Sequence, residues 1–298
     1  LAEIESDPSK VQESFDAFYH QLSQMNFVPA GRVLYGAGSQ TDVTYFNCYV
    51  ITYIPDSREG IAEHRKEVME IMSRGGGVGT NGSTLRPRNT LARGVNGKSS
   101  GSVSWLNDIA QLTHLVEQGG SRRGAQMIML ADWHPDIIEF IISKMQNPRI
   151  LRYLIEQTKD DQIKQLAHEK LKFVPLSLNE QTMHEAIIAQ ANEESGFNAD
   201  IIAHSKAMLR DGGHYTVHKE DFLTGANISV TITDDFMQAV QADGDWELCF
   251  PDVEHYNEAD MEAYNTQWHQ VGDVREWEAL GYSVRTYRTI PARELWKL

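Results

Sequence analysis

The residues of this chain able to do chemistry fall into a few glycine–arginine stretches and two thiols. Gln118-Gly119-Gly120-Ser121-Arg122-Arg123-Gly124 sets three glycines and two arginines within seven residues. Glycine lets the backbone adopt positive φ and approach a ligand closely. Arginine offers a planar fork matched to phosphate or a base edge. A loop that reads a nucleotide and an ordinary helix-to-strand loop with solvated arginines both fit these residues alone. A second cluster, Gly75-Gly76-Gly77-Val78-Gly79, is followed by Asn81-Gly82-Ser83, then Leu85-Arg86-Pro87-Arg88 and Arg93. Cys48 and Cys249 are the only thiols. A thiol can donate hydrogen and then close a disulfide, or serve as a small buried apolar group. His214 and His218 stand at i, i+4, which on a helix could share a metal. Thr216 and Val217 between them and Gly212-Gly213 before them favour a turn or strand instead, and no third ligand accompanies them.

These residues need elements to hold them. Asp7-Pro8 reads as an N-cap followed by proline at the first helical position, with Val11, Phe15, Phe18 and Leu22 at helical spacing. Pro29-Ala30-Gly31-Arg32 ends that helix, and residues 33–35 read as extended. Residues 46–52 are β-branched and aromatic and predict a buried strand. Asp56 and Ser57 cap a helix to about residue 73 with Ile61, Val68, Ile71 and Met72 on its apolar side. A helix over about 102–117 buries Leu106, Ile109, Leu112 and Val116, and a strand follows at 126–130. Asp132-Trp133-His134-Pro135-Asp136 opens another helix. Residues 145–221 are rich in Glu, Lys, Gln and Ala and read as a helical insertion. Strands at 227–232, 246–250 and 282–287, with helices between and after, resume the rhythm. Alternating strands and helices predict an α/β architecture with a largely parallel sheet or barrel.

Composition narrows the class. The formal net charge of −15 repels nucleic acid and anionic membrane, while a small phosphorylated ligand can still be held by local arginines. No apolar run approaches the ~20 residues that span a bilayer, and the acidic start lacks the basic region of a signal peptide. Two cysteines make no disulfide framework and predict a reducing, cytoplasmic setting. The absence of an initial Met and the helix opening at the last residues predict a piece of a longer or split polypeptide.

Taken together, several stretches resemble the catalytic subunit of ribonucleotide reductases, most closely the adenosylcobalamin-dependent class. They are Pro29-Ala30-Gly31-Arg32 with Gly36-Ala37-Gly38, Phe46-Asn47-Cys48, Arg74-Gly75-Gly76-Gly77-Val78-Gly79, Leu85-Arg86-Pro87-Arg88 and Gly94-Val95-Asn96-Gly97. Gly101-Ser102-Val103-Ser104-Trp105, the Gln118 to Ala125 loop, Trp133-His134-Pro135-Asp136 and Asn227-Ile228-Ser229-Val230 complete the ordered series. The resemblance implies half of a ten-stranded α/β barrel, five parallel strands with helices, plus the helical insertion. It divides the chain into 1–144 with the first barrel strands and the effector and substrate loops, 145–221 as the insertion, and 222–298 as the continuation of the half. It implies reduction of ribonucleotides, with diphosphates favoured, by thiyl-radical chemistry under deoxynucleoside triphosphate or ATP control. Cys48 would be the first reducing cysteine, and Asn47 and Gly124 would face the substrate. Asp56, Ser57, Arg86, Arg93, Gln118 and Arg122 would meet the effector. Adenosylcobalamin, a thioredoxin-like reductant, the C-terminal half of the barrel and a possible homodimer are the implied cofactor and partners.

The family's thiyl-radical cysteine and the partner of its first reducing cysteine have no counterpart here, and Cys249 reads as a core cysteine. The alternatives are a regulatory or split half that binds deoxynucleotides without activity of its own, a large subunit of the protein-radical class, and an unrelated βα enzyme that holds phosphate with glycine loops.

Overall fold

The computed structural model describes residues 5–40, 44–92, 97–118, 122–193 and 198–298. Its centre is a parallel sheet of β1 (Cys48–Val50), β2 (Gly77–Asn81), β3 (Gln126–Ala131) and β4 (Asn227–Thr231), paired in that order. Helices Arg58–Ser73 and Ser102–Leu115 run between successive strands. Two apolar clusters anchor the sheet. Ile54, Val68, Met72, Val78, Ile109 and Leu112 form one with these helices. Ile128, Leu130, Trp133, Phe140, Phe250, Trp268 and Trp277 belong to the larger one.

Local chemistry sets the element ends. The Asp7 carboxylate accepts from Ser9 N and opens a short turn, Pro8–Lys10, that runs into helix Val11–Ser23. Ser57 Oγ accepts from Gly60 N at 2.9 Å and caps helix Arg58–Ser73. That helix ends at Gly75, where φ is +89°. A side chain there would meet strained backbone and the Arg32 guanidinium, which lies over the glycine.

Three expectations change. Residues 33–35 are not extended but lie in helix Gly31–Gly36. Pro29 sits just ahead of its N-cap, Ala30, while the preceding helix has already ended at Ser23. The strand at 46–52 shrinks to Cys48–Val50 and is exposed: Phe46 is 71% and Val50 86% accessible, because β1 is an edge strand. The third concerns the strand at 246–250. It lies within β5 (Asp245–Pro251), which pairs antiparallel with β6 (Val284–Pro291) and not with the sheet. Among the described residues the sheet therefore has four parallel strands, not five. Trp246, Leu248 and Phe250 are buried while Asp245 and Glu247 are exposed, the alternation of a strand buried on one face.

The insertion contains helices Pro148–Gln157, Asp161–Lys170, Leu178–Glu193 and Ala199–Asp211. It also holds an antiparallel ribbon, Leu171–Pro175 with Gly213–Val217, which a helical reading did not foresee. His214 lies in this ribbon and His218 just beyond it. No metal-holding group of His, Cys, Asp or Glu occurs among the described residues.

Asp136 joins three segments. Its carboxylate accepts from Arg88 N at 3.1 Å and Ser102 N at 2.9 Å, capping helix Ser102–Leu115 from across the fold. Gly101 is also at φ +89°, and a Cβ there would lie 2.8 Å from Asp136 Oδ2. Asp136 N donates to His134 Nδ1, so His134 Nε2 carries the proton that it donates to Leu85 O. Replacing Asp136 with Ala leaves one buried and one part-buried N–H unpaired and should cost on the order of 2 kcal/mol. Denaturant titration checks this, and Asp136→Asn, which keeps one acceptor, should lose less.

Candidate functional site

A parallel sheet normally has both faces covered; here one is open. Strand alternation and register place Cys48, Val50, Gly77, Gly79, Met127, Met129, Asn227 and Ser229 on that face. Tyr49, Val78, Thr80, Ile128 and Leu130 point the other way, toward the helices. The open face forms a cavity of about 600 Å³ lined by Cys48, Gly77, Gly79, Gly124, Met129 and Asn227, among others. Its volume falls in the range of small-molecule sites.

Cys48 is exposed and free. Gly77 lies directly beside it in register, and a Cβ added there would stand 3.5 Å from Cys48 Sγ. The two bare glycines of β2 therefore leave the space around the thiol open. Asn47 is exposed next to Cys48, and its carbonyl accepts from Gly77 N at 2.8 Å. Gly124 lines the same cavity for a packing reason: a Cβ there would come within 2.7 Å of Met72 Sδ and 3.3 Å of Thr113 Cα.

Asp56, Ser57 and Arg86 meet elsewhere, at the start of helix Arg58–Ser73. Cys48 and Gly77 lie toward that helix's other end, and its 16 residues span ~24 Å. Arg86 Nε donates to Asp56 Oδ2 at 2.6 Å, Nη2 to Asp56 O and Nη1 to Leu91 O. Tyr264 OH donates to the same carboxylate oxygen at 2.5 Å. Burial, with Asp56 against it, holds the Tyr264 phenol protonated well above its usual range. Three donors of Arg86, expected to meet the effector, are bound within the fold. Tyr264 carries no motif signal, and the sequence did not single it out.

Gln118 and Arg122 pair across a two-residue ribbon, Glu117–Gln118 with Arg122–Arg123. Gly119, Gly120, Ser121 and Arg93 lie outside the described residues. The ribbon's exit, Gly124-Ala125, runs straight into the Cys48 cavity. Thr224-Gly225-Ala226-Asn227 enters it from the end of the insertion. Lys144 Nζ fixes this segment by donating to Leu223 O and Ala226 O at 2.6 Å each.

Beneath the open face runs a buried polar chain that motif reading missed. Thr113 Oγ1 donates to Gln126 Oε1, Gln126 Nε2 donates to Thr80 Oγ1, and Thr80 Oγ1 meets His64 Nε2 at 3.0 Å. It ties β2 and β3 to the helices on either side of the ribbon. A histidine and a threonine 16 residues apart gave no sequence signal. Cys249 is half-buried, with burial raising its thiol pKa. Among the described residues, no histidine lines the Cys48 cavity.

Burial drives the His64 imidazole down to about 4, against ~6.5 in an unfolded chain. The unfolded chain takes up the proton first as pH falls, so stability drops between pH 6.5 and 4. From pH 7 to 5 this group should remove roughly 2 kcal/mol. Urea midpoints across that range should shift less in His64→Gln than in the wild type.

A family model described as ribonucleotide reductase, barrel domain, matches residues 46–298. The vitamin B12-dependent ribonucleoside-diphosphate reductase of Thermoplasma acidophilum is 30% identical over 198 residues, 63% of this chain and 26% of that protein. The large subunit of ribonucleoside-diphosphate reductase from Arabidopsis thaliana is 36% identical over 124 residues, 41% of this chain and 15% of its own. A vitamin B12-dependent ribonucleoside-diphosphate reductase of Mycobacterium tuberculosis is 31% identical over 147 residues, 49% of this chain and 21% of its own. The chain thus spans about a quarter or less of the length of these relatives.

Proposed function

The chain belongs to the ribonucleotide reductase barrel family, and from that premise we propose that it supplies one reducing thiol and part of the substrate floor for reduction of ribonucleotides. Diphosphates are the favoured substrates, as the names of the relatives indicate. The observation that carries this reading is Cys48 on an exposed edge strand, beside the bare Gly77, on the open face of a parallel sheet. The overall step replaces the ribose 2′-hydroxyl with hydrogen. Two thiols supply two electrons and two hydrogens, a disulfide forms, and the hydroxyl leaves as water. Cys48 is one of the two, and Asn47 and Gly124 border the ribose.

The family chemistry also needs a thiyl radical, and the second reducing thiol makes three sulfurs. This sequence holds two cysteines, one of them half-buried in β5, so the missing thiols come from another polypeptide segment. We propose that segment as the C-terminal half of the barrel, with a thioredoxin-like reductant to reopen the disulfide and a homodimer as the assembly.

Adenosylcobalamin is the proposed radical source, following the B12-dependent relatives. No residue of this chain is assigned as its cobalt ligand. Asp56, Ser57 and Arg86, with Gln118, Arg122 and Arg93, remain the proposed effector-binding set. Effector binding there would require Arg86 to turn donors away from Asp56. The division into 1–144, 145–221 and 222–298 is likewise proposed.

The test is ribonucleotide reduction with a dithiol and a deoxynucleoside triphosphate, run on this chain with and without a polypeptide carrying the missing thiols. Activity in the combined sample that depends on adenosylcobalamin supports the reading. Combined activity that instead requires a separate radical subunit points to the protein-radical class. Gly77→Ala should fold normally, since its nearest new contacts are 3.4 Å or longer. By placing a methyl against Cys48 Sγ it should lower kcat/KM roughly tenfold or more. Steady-state kinetics beside a thermal unfolding curve checks that split.

A further inference from the structure

The insertion has no part in the chemistry just described, yet it forms an open cleft of about 700 Å³. The walls are helices Pro148–Gln157 and Ala199–Asp211 and the ribbon Leu171–Pro175 with Gly213–Val217. It shares no lining residue with the Cys48 cavity.

The lining is basic in a chain whose formal charge is −15. Arg149, Arg152 and Arg210 line it, and Asp211 is its one carboxylate. Arg210 is spent on Asp211, with Nε to Oδ1 at 2.8 Å and Nη2 to Oδ2 at 3.2 Å. Arg149 and Arg152 lie three residues apart, hence on one helix face; both are exposed, and Arg152 is near enough to Asp211 to help lower its carboxyl pKa. The Arg152 guanidinium lies 5.0 Å over the Tyr215 ring, and Tyr215 meets Phe173 edge to face at 5.1 Å. His214 adds a ring nitrogen to the same lining. Two guanidinium forks beside an aromatic wall, in a volume suited to a small molecule, match an anion with several phosphate oxygens.

We propose that this cavity is a binding site for a small anion carrying two or more phosphates, held by Arg149 and Arg152. The site is separate from Cys48 and stands or falls independently of the reduction chemistry. The probes are pyrophosphate, ATP and adenosine, titrated calorimetrically into the full chain, with 8-azido-ATP photolabelling to locate the bound nucleotide. Pyrophosphate and ATP should bind and adenosine should not, and the label should fall on residues 147–152 or 207–215. Affinity for pyrophosphate should drop about tenfold or more in Arg149→Ser/Arg152→Ser and by less in Arg149→Lys. Circular dichroism establishes that these variants fold. Asp211→Asn removes the competing carboxylate and should tighten binding, a gain that damage to the fold would not produce. No binding of pyrophosphate or ATP, label confined to other segments, or unchanged affinity in the double variant would overturn the proposal.

Discussion

One buried carboxylate holds the site-bearing half of this fold in place. Asp136 caps helix Ser102–Leu115 across the fold and binds Arg88 N in the segment after β2. Beside it, His134 locks its tautomer between Asp136 N and Leu85 O. The helix so fixed leads to the ribbon that carries Gln118 and Arg122, and then to β3. Motifs that resemble a catalytic signature, Leu85-Arg86-Pro87-Arg88, Gly101-Ser102 and Trp133-His134-Pro135-Asp136, thus meet in an architectural joint rather than around a reacting atom.

What the joint supports is a parallel sheet with one face left uncovered. Helices bury the Thr80, Ile128 and Leu130 side, while the opposite side carries a thiol, two bare glycines and two methionines. Bulky β-branched residues at Gly77 and Gly79 would close the space beside Cys48. The exposure of Phe46 and Val50 belongs to the same feature, since β1 is the edge of that sheet.

Much of this was legible where local chemistry decides the outcome. The caps at Asp7 and Ser57 and the helices Arg58–Ser73 and Ser102–Leu115 are short-range features, and the structure places them as read, whereas the strand Gly77–Asn81, inside a glycine stretch, was not read. Long-range pairing was not legible. Nothing near Arg86 in sequence announces that its guanidinium will pair with Asp56, 30 residues away, or that Tyr264, 208 residues from Asp56, will donate to the same carboxylate. The ribbon within the insertion hides in a segment of helical composition, because its partners Leu171–Pro175 and Gly213–Val217 lie on either side of two helices. The antiparallel pairing of β5 could have been read from the alternation of Trp246, Leu248 and Phe250, which fits a strand buried on one side.

The central claim is that the Cys48 thiol delivers reducing equivalents. Its most direct test is product formed per enzyme by Cys48→Ser, beside the wild type, in the combined system with its reductant. The account predicts that the variant loses multiple turnover while still binding a deoxynucleoside triphosphate. Sustained turnover by Cys48→Ser at the wild-type rate would contradict it.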